Sequence, residues 1–174
     1  MIIRENCELL IENHPYFESL NKKLLEEMVG MEWPESYRTN VNAKMTSWNT
    51  KSPTIKVIWT WIQTLIKRKY PWLPPDEKLC LYSSWFASYG MGESARVHEH
   101  LPNVWSFAYF VNCPRGSSPL VFTDSGKKIK AEEGKIVIFP SSVRHHVPKN
   151  KCEDRIVLSG NIRTVNYSHY TYTL

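Results

Sequence analysis

Apolar and polar positions follow two different rhythms along this chain, and the change comes near residue 75. In the first part the rhythm is helical. Pro15 lies in an opening turn, and Phe17, Leu20, Leu24 and Met28 recur every three or four positions with Glu18, Lys22, Lys23, Glu26 and Glu27 between them. Gly30 supplies a C-terminal stop. A second helix is predicted over residues 53–69. Ser52 caps it, Ile55, Ile58, Trp59, Ile62, Leu65 and Ile66 form its apolar stripe, and Pro71 ends it. Residues 39–50 read as extended or irregular, with Val41, Met45 and Trp48 as packing positions.

After Pro74-Pro75 the pattern is that of short strands. They are predicted at 79–89, 95–100, 104–112, 120–123, 127–130, 135–139, 145–147 and 155–163. Gly, Pro, Ser, Asn or charged clusters separate them, as in Pro114-Arg115-Gly116-Ser117-Ser118-Pro119. Strands at this spacing predict a mainly β fold, a sandwich or barrel of jelly-roll type, with the N-terminal helices packed on it. The expected organisation is one domain: a helical support region (1–78), a jelly-roll core (79–165) and a C-terminal tail (166–174).

Composition narrows the class. The chain has 174 residues, 42% hydrophobic and 22% charged, a balance that excludes an intrinsically disordered protein. The longest apolar runs, such as Ile136-Val137-Ile138-Phe139, are far short of the roughly 20 residues of a membrane-spanning helix. The acids in Met1-Ile2-Ile3-Arg4-Glu5-Asn6-Cys7-Glu8 do not suit a signal peptide, so a cytoplasmic location is expected. Cys7, Cys80, Cys113 and Cys152 form no CxxC pair and are expected as reduced thiols. Seven Trp, nine Tyr and six Phe suit β-structure and a lined pocket. The formal net charge is +5, with residues 1–78 near neutral (eleven bases, ten acids) and residues 79–174 carrying the excess (eleven bases, seven acids). That excess is too small to indicate nucleic acid as a partner. Lys127-Lys128-Ile129-Lys130 reads as a solvated hairpin edge protected against strand pairing.

Candidate chemistry centres on histidine. His98-Glu99-His100 falls on a predicted strand, where residues i and i+2 share a face, so His98 and His100 point one way and Glu99 the other. Two such imidazoles can share a metal ion, and a third ligand must come from elsewhere. His145 follows the apolar strand 135–139, at a position a jelly roll can bring beside the H-x-H. Arg155 starts the last long strand, on whose face Arg155, Val157, Ser159 and Asn161 alternate. An arginine projecting into an apolar barrel must meet an anion, and a carboxylate is its natural bidentate partner.

The run Trp85-Phe86-Ala87-Ser88-Tyr89-Gly90-Met91-Gly92, then His98-Glu99-His100, then Ser106-Phe107-Ala108-Tyr109-Phe110-Val111, resembles the iron(II)- and 2-oxoglutarate-dependent oxygenases. It is most similar to the small oxygenases of bacteria and their viruses that carry H-x-H in place of H-x-acid. The segments Gly134-Lys135-Ile136-Val137-Ile138-Phe139-Pro140-Ser141 and Arg144-His145-His146-Val147-Pro148-Lys149-Asn150 match the family's distal histidine region. Glu153-Asp154-Arg155-Ile156, followed by Asn161, matches its 2-oxoglutarate strand.

The resemblance spans residues 79–165 and implies a double-stranded β-helix of cupin-like type. It implies that His98, His100 and His145 hold Fe(II), that Arg155 pairs with the far carboxylate of 2-oxoglutarate, and that Tyr89 and, more weakly, Ser159 contact the same co-substrate. The activity implied is a hydroxylase coupling oxidative decarboxylation of 2-oxoglutarate, with O2, to C–H hydroxylation. Its substrate would be a prolyl or other protein side chain, or else a small metabolite. His146 has no family role. Ala87, Phe110 and Val157 depart from the family by removing polar groups from the pocket. The loop 90–96 and the aromatic-rich first part are expected to shape substrate entry. Two other readings of the same residues are a three-His cupin-type metal enzyme without 2-oxoglutarate, for which zinc is a competing metal, and a non-catalytic jelly-roll binding module.

Overall fold

The computed structural model describes residues 7–34, 40–74 and 77–166. The N-terminal residues 1–6 and the expected tail from residue 167 onward lie outside them. Two helices form where the spacing predicts them: α1 (Phe17–Met28) and α2 (Pro53–Lys69). The Ser52 hydroxyl accepts from the Ile55 amide at 3.2 Å, and Pro53 sits where a missing N–H costs nothing. Glu27 of α1 ties the helices together, its Oε1 accepting from the Thr54 hydroxyl at 2.7 Å.

Eleven strands are present among the described residues, three of them in the first part of the chain: β1 (Leu10–Asn13), which was not expected, and β2 (Val41–Asn42) and β3 (Lys44–Met45), which lie in the segment expected to be extended or irregular. The others are β4 (Glu77–Tyr89), β5 (Ser94–His98), β6 (Trp105–Asn112), β7 (Leu120–Phe122), β8 (Lys128–Ile129), β9 (Lys135–Pro140), β10 (His145–Val147) and β11 (Arg155–Asn166). The first part of the chain therefore supplies strands as well as helical support. One sheet runs β1-β9-β6-β11-β4-β3 and the other β2-β5-β10-β7-β8. All the strand pairs are antiparallel. The two sheets form the double-stranded β-helix expected from the sequence. The lysine-rich β8 is the outer strand of its sheet, with Lys128 exposed and Ile129 buried, as the edge reading requires.

Strand parity divides the six-stranded sheet between two cores. Tyr109, Ile136, Ile138, Ile156 and Leu158 face α1 and α2, where they meet Leu24, Ile58, Ile62 and Ile66. Their neighbours Ala108, Phe110, Val137, Phe139 and Val157 face into the barrel, with Trp85, Ala87 and Tyr89. Burial on both faces explains why β6 and β9 read as near-continuous apolar runs. In β4 the parity slips. Asn161 pairs with Ser83 and Ile162 with Leu81, so Tyr82 is the extra residue of a bulge. Leu79 and Leu81 therefore face the helices from odd positions, and Phe86 does so from an even one.

Candidate metal centre and its arginine

The β-ladder builds the histidine cluster. His145 of β10 lies directly opposite His98 of β5, so both side chains leave the same face of the five-stranded sheet into the barrel. The H-x-H is not wholly strand, because β5 ends at His98. His100 lies in the following loop, its amide donating to the Ser141 carbonyl at 2.8 Å, and its ring still returns to the same side. The ligand atoms of His98, His100 and His145 all lie within 4.8 Å of one another. Glu99 is exposed and outside the cluster, as alternation predicts. His146 also points away, its Nδ1 3.1 Å from the Thr123 hydroxyl.

Backbone carbonyls set the tautomers. His98 Nδ1 lies 2.7 Å from the Arg96 carbonyl and His145 Nδ1 lies 2.9 Å from the Val143 carbonyl. A carbonyl can only accept, so each Nδ1 carries the proton and each Nε2 presents a lone pair. Burial, reinforced by the neighbouring imidazoles, pushes the basicity of His100 down to about 3 and that of His145 down to about 4. Burial lowers His98 as well. All three rings are thus neutral near pH 7, the form that binds a metal. The Nε2 atoms of His100 and His145 are 3.3 Å apart. Two nitrogens each about 2.1 Å from one ion stand about 3.0–3.4 Å apart for bond angles between octahedral and tetrahedral, so the spacing fits a shared ion.

On the opposite wall of the barrel, β11 places Arg155, 1% exposed, beside its ladder partner Tyr89 of β4. Its Cζ lies 4.7 Å from the Tyr89 ring centroid and 5.6 Å from that of Phe110. Nε donates to the Ser118 carbonyl at 2.9 Å, while Nη1 is buried without any partner. Asn150 holds the local frame. Its Oδ1 accepts from the Ser118 amide, and its Nδ2 donates to the carbonyls of Tyr89 and Cys152. Neither Asn150 nor Ser118 was singled out as a functional position in the sequence, although Asn150 closes the distal histidine segment. Burial raises the Tyr89 phenol above its ordinary value, so it stays protonated, with the Arg155 charge opposing that shift.

One narrow cavity joins the two walls. His98, His100 and His145 line one side, Arg155, Tyr89 and Ser159 the other, and Ala87, Phe110 and Val157 lie among the lining residues. The three departures from the family pattern thus make the surroundings of Arg155 more apolar. The loop 90–96, expected to shape substrate entry, contributes Ala95 to the lining of this cavity. Its turn is tied to Asn150 and Glu153, through Gly92 N to the Asn150 carbonyl and Met91 N to the Glu153 carboxylate. The outer groove beside the histidines is bordered by Trp48, which was expected to pack but is 44% exposed, while Val41 and Met45 of the same segment are buried as expected. The described cysteines form no disulfide, and no described helix is long and apolar enough to cross a membrane.

No family model matches the chain, and no curated protein matches it in sequence. Solved structures do match in fold. The viral collagen prolyl hydroxylase of Paramecium bursaria Chlorella virus-1, solved with 2-oxoglutarate, aligns with a TM-score of 0.70 at 16% identity, over 89% of this chain and 96% of that one. A prolyl-4-hydroxylase of Pseudomonas putida aligns with a TM-score of 0.68 at 19% identity, over 89% and 91%. A Trichoplax adhaerens prolyl hydroxylase, in complex with a peptide fragment of the hypoxia-inducible factor oxygen degradation domain, aligns with a TM-score of 0.65 at 16% identity, over 88% and 82%. The chain shares the double-stranded β-helix of the 2-oxoglutarate- and iron(II)-dependent oxygenases. At these identities the likeness establishes the fold, and the chemistry is argued from the residues.

Proposed function

We propose that the protein is an iron(II)- and 2-oxoglutarate-dependent hydroxylase. The observation that carries this reading is the orphaned Nη1 of Arg155. A buried guanidinium nitrogen without an acceptor is costly, and a carboxylate supplied by a ligand would satisfy it. A three-His metal enzyme that uses no anionic co-substrate has no use for such a group. The histidine donor set alone would also suit zinc, and the arginine is what supports the reading with an anionic co-substrate.

His98, His100 and His145 would hold the metal through Nε2, leaving the remaining positions open. Arg155 would take the far carboxylate of 2-oxoglutarate in a two-pronged pair, with the Tyr89 phenol and the Ser159 hydroxyl as further donors in the same cavity. When bound, iron and 2-oxoglutarate supply the activation of O2 and the oxidative decarboxylation that yields succinate. The chain's own part is to position and to exclude water. The cavity measures about 50 Å3, so larger side chains of its lining, Phe110 among them, would turn aside to admit the diacid. Three neutral imidazoles place one more positive charge on the iron than a two-His, one-carboxylate set would. That favours a dianionic co-substrate and weakens retention of the metal. The substrate class we propose is a protein side chain such as prolyl, supported by the fold shared with the three hydroxylases.

The test is an anaerobic calorimetric titration of the Mn(II)-loaded protein with 2-oxoglutarate, followed by aerobic succinate assay. The expected result is metal-dependent binding and slow succinate release without added substrate. A protein that binds the metal but neither binds 2-oxoglutarate nor releases succinate would overturn the reading.

A further inference from the structure

The inner cavity meets the surface at a groove of about 660 Å3, and His98, His100, Trp85 and Val41 line both. The borders of the groove carry large side chains in water. Tyr82 is 53% exposed and Leu101 is 59% exposed. Trp48 is held there because its carbonyl accepts from the Ser84 amide at 2.9 Å, which pins its segment along β4. Aromatic and aliphatic surface left in water on both borders of a groove suits an extended chain that lies along it.

The groove holds one fixed cation, Arg163. Its guanidinium lies on the Tyr82 ring, with Cζ 3.3 Å from the centroid, and its Nε donates to Asn103 Oδ1 at 2.8 Å. Asn103 Nδ2 in turn donates to the His100 carbonyl at 2.7 Å. A single side chain therefore fixes the position of Arg163 relative to the histidine cluster. Among the described residues no carboxylate forms an ion pair with Arg163. Glu99, the acid bordering the groove, is exposed and lies in the field of Arg144, which pairs with Asp124.

We propose that Arg163 is the specificity-determining residue of this groove, and that it receives the carboxylate of an Asp or Glu side chain in an extended peptide whose target residue sits at the histidine cluster. The proposal rests on the hydroxylase reading for the meaning of the target position. Stacking on Tyr82 and the bond to Asn103 leave the outer edge of the guanidinium to pair with a carboxylate at little ordering cost.

The test uses short synthetic peptides with a single proline, the flanking positions being Asp, Ala or Lys in turn. Binding to the Mn(II)-loaded protein is read by fluorescence anisotropy and needs no turnover. The wild type should prefer the Asp peptides over the Lys peptides by about tenfold or more. Arg163→Gln should bring the ratio close to one, Arg163→Glu should invert it, and Arg163→Lys should retain part of it. The ratio is read within each protein, so a less stable variant still reports it. Absence of an acidic preference in the wild type, the same ratio in all variants, or no peptide binding at all would overturn the proposal. Succinate release from 2-oxoglutarate alone, combined with flat anisotropy, would reject the groove and leave the hydroxylase standing. Acid-selective binding without any 2-oxoglutarate affinity would do the reverse.

Discussion

His98 and His145 face each other across the β5–β10 ladder with ring centroids 4.3 Å apart, and each turns Nδ1 onto the carbonyl two residues back in its own chain. The same backbone that pairs the strands also orients the two rings, so neither lone pair depends on a separate side-chain partner. His98→Ala, His100→Ala or His145→Ala should each weaken Mn(II) or Fe(II) binding by at least about a hundredfold, since loss of a mere outer partner already costs about 10–100-fold. His146→Ala should leave it nearly unchanged, because that ring lies against Thr123. Anaerobic metal titration reads both. A requirement for His146 with His145 dispensable would mean that the β10 register is one residue off.

Arg155→Ala should lower 2-oxoglutarate affinity by at least about a hundredfold while metal affinity holds. Stranding one partner of a buried charge pair costs about 3–5 kcal/mol, and each factor of ten is about 1.4 kcal/mol. Arg155→Lys should recover only part, since an ammonium cannot reproduce the planar fork. Calorimetry with 2-oxoglutarate on the Mn(II)-loaded variants decides. Equal affinity in wild type and Arg155→Ala would detach this arginine from the co-substrate.

Acid should destabilise the metal-free protein through the same histidines. Their folded-state basicity lies below the unfolded value of 6.5, at about 3 for His100 and about 4 for His145. The unfolded chain therefore takes up protons first. Stability is complete above about pH 6.5 and is lost as the pH falls toward 4. Glu132, held down to about 2 by Lys130 and Lys135, contributes only in a lower window. Thermal melts between about pH 7 and pH 4.5 should show a fall in Tm that is shallower in His100→Gln. Parallel curves for the two proteins would exclude His100 as a source of the effect.

Gly160 should tolerate no side chain. It sits in the middle of β11, and a Cβ there would meet Phe107 Cε1 at 2.5 Å and the Ser83 carbonyl oxygen at 2.6 Å. Gly160→Ala should cost about 1–3 kcal/mol through overpacking, measured by denaturant unfolding. An unchanged midpoint would show that both Phe107 and the β4 backbone at Ser83 give way freely.

Much of this architecture was legible in the sequence because it follows periods. The apolar stripes of α1 and α2 and the Ser52 cap appear where the spacing puts them, and alternation along β11 correctly placed Arg155, Val157 and Ser159 on one face. The strand β1 was not legible, and the segment that holds β2 and β3 was legible only as extended or irregular. A strand of two to four residues has no measurable period, and their pairing with β9, β5 and β4 is a long-range choice. His100 was assigned to a strand that ends two residues earlier, yet its side chain arrives at the cluster because the Ser141 carbonyl holds the loop. The frame around Arg155 and the groove around Arg163 have no local sequence signature for another reason. Asn150 meets Ser118 and Tyr89, and Asn103 meets Arg163, only through the fold.

The extra residue Tyr82 in β4 has a consequence for how the strand records change. Before the bulge, odd positions answer to the helices; after it, odd positions answer to the barrel interior. A saturation scan along β4 should therefore show tolerance oscillating with period two and then jumping in phase by one residue at Tyr82. Deleting Tyr82 itself would erase the jump and restore plain alternation, with Leu79 and Leu81 still on the helical side and Trp85, Ala87 and Tyr89 still on the barrel side beside Arg155.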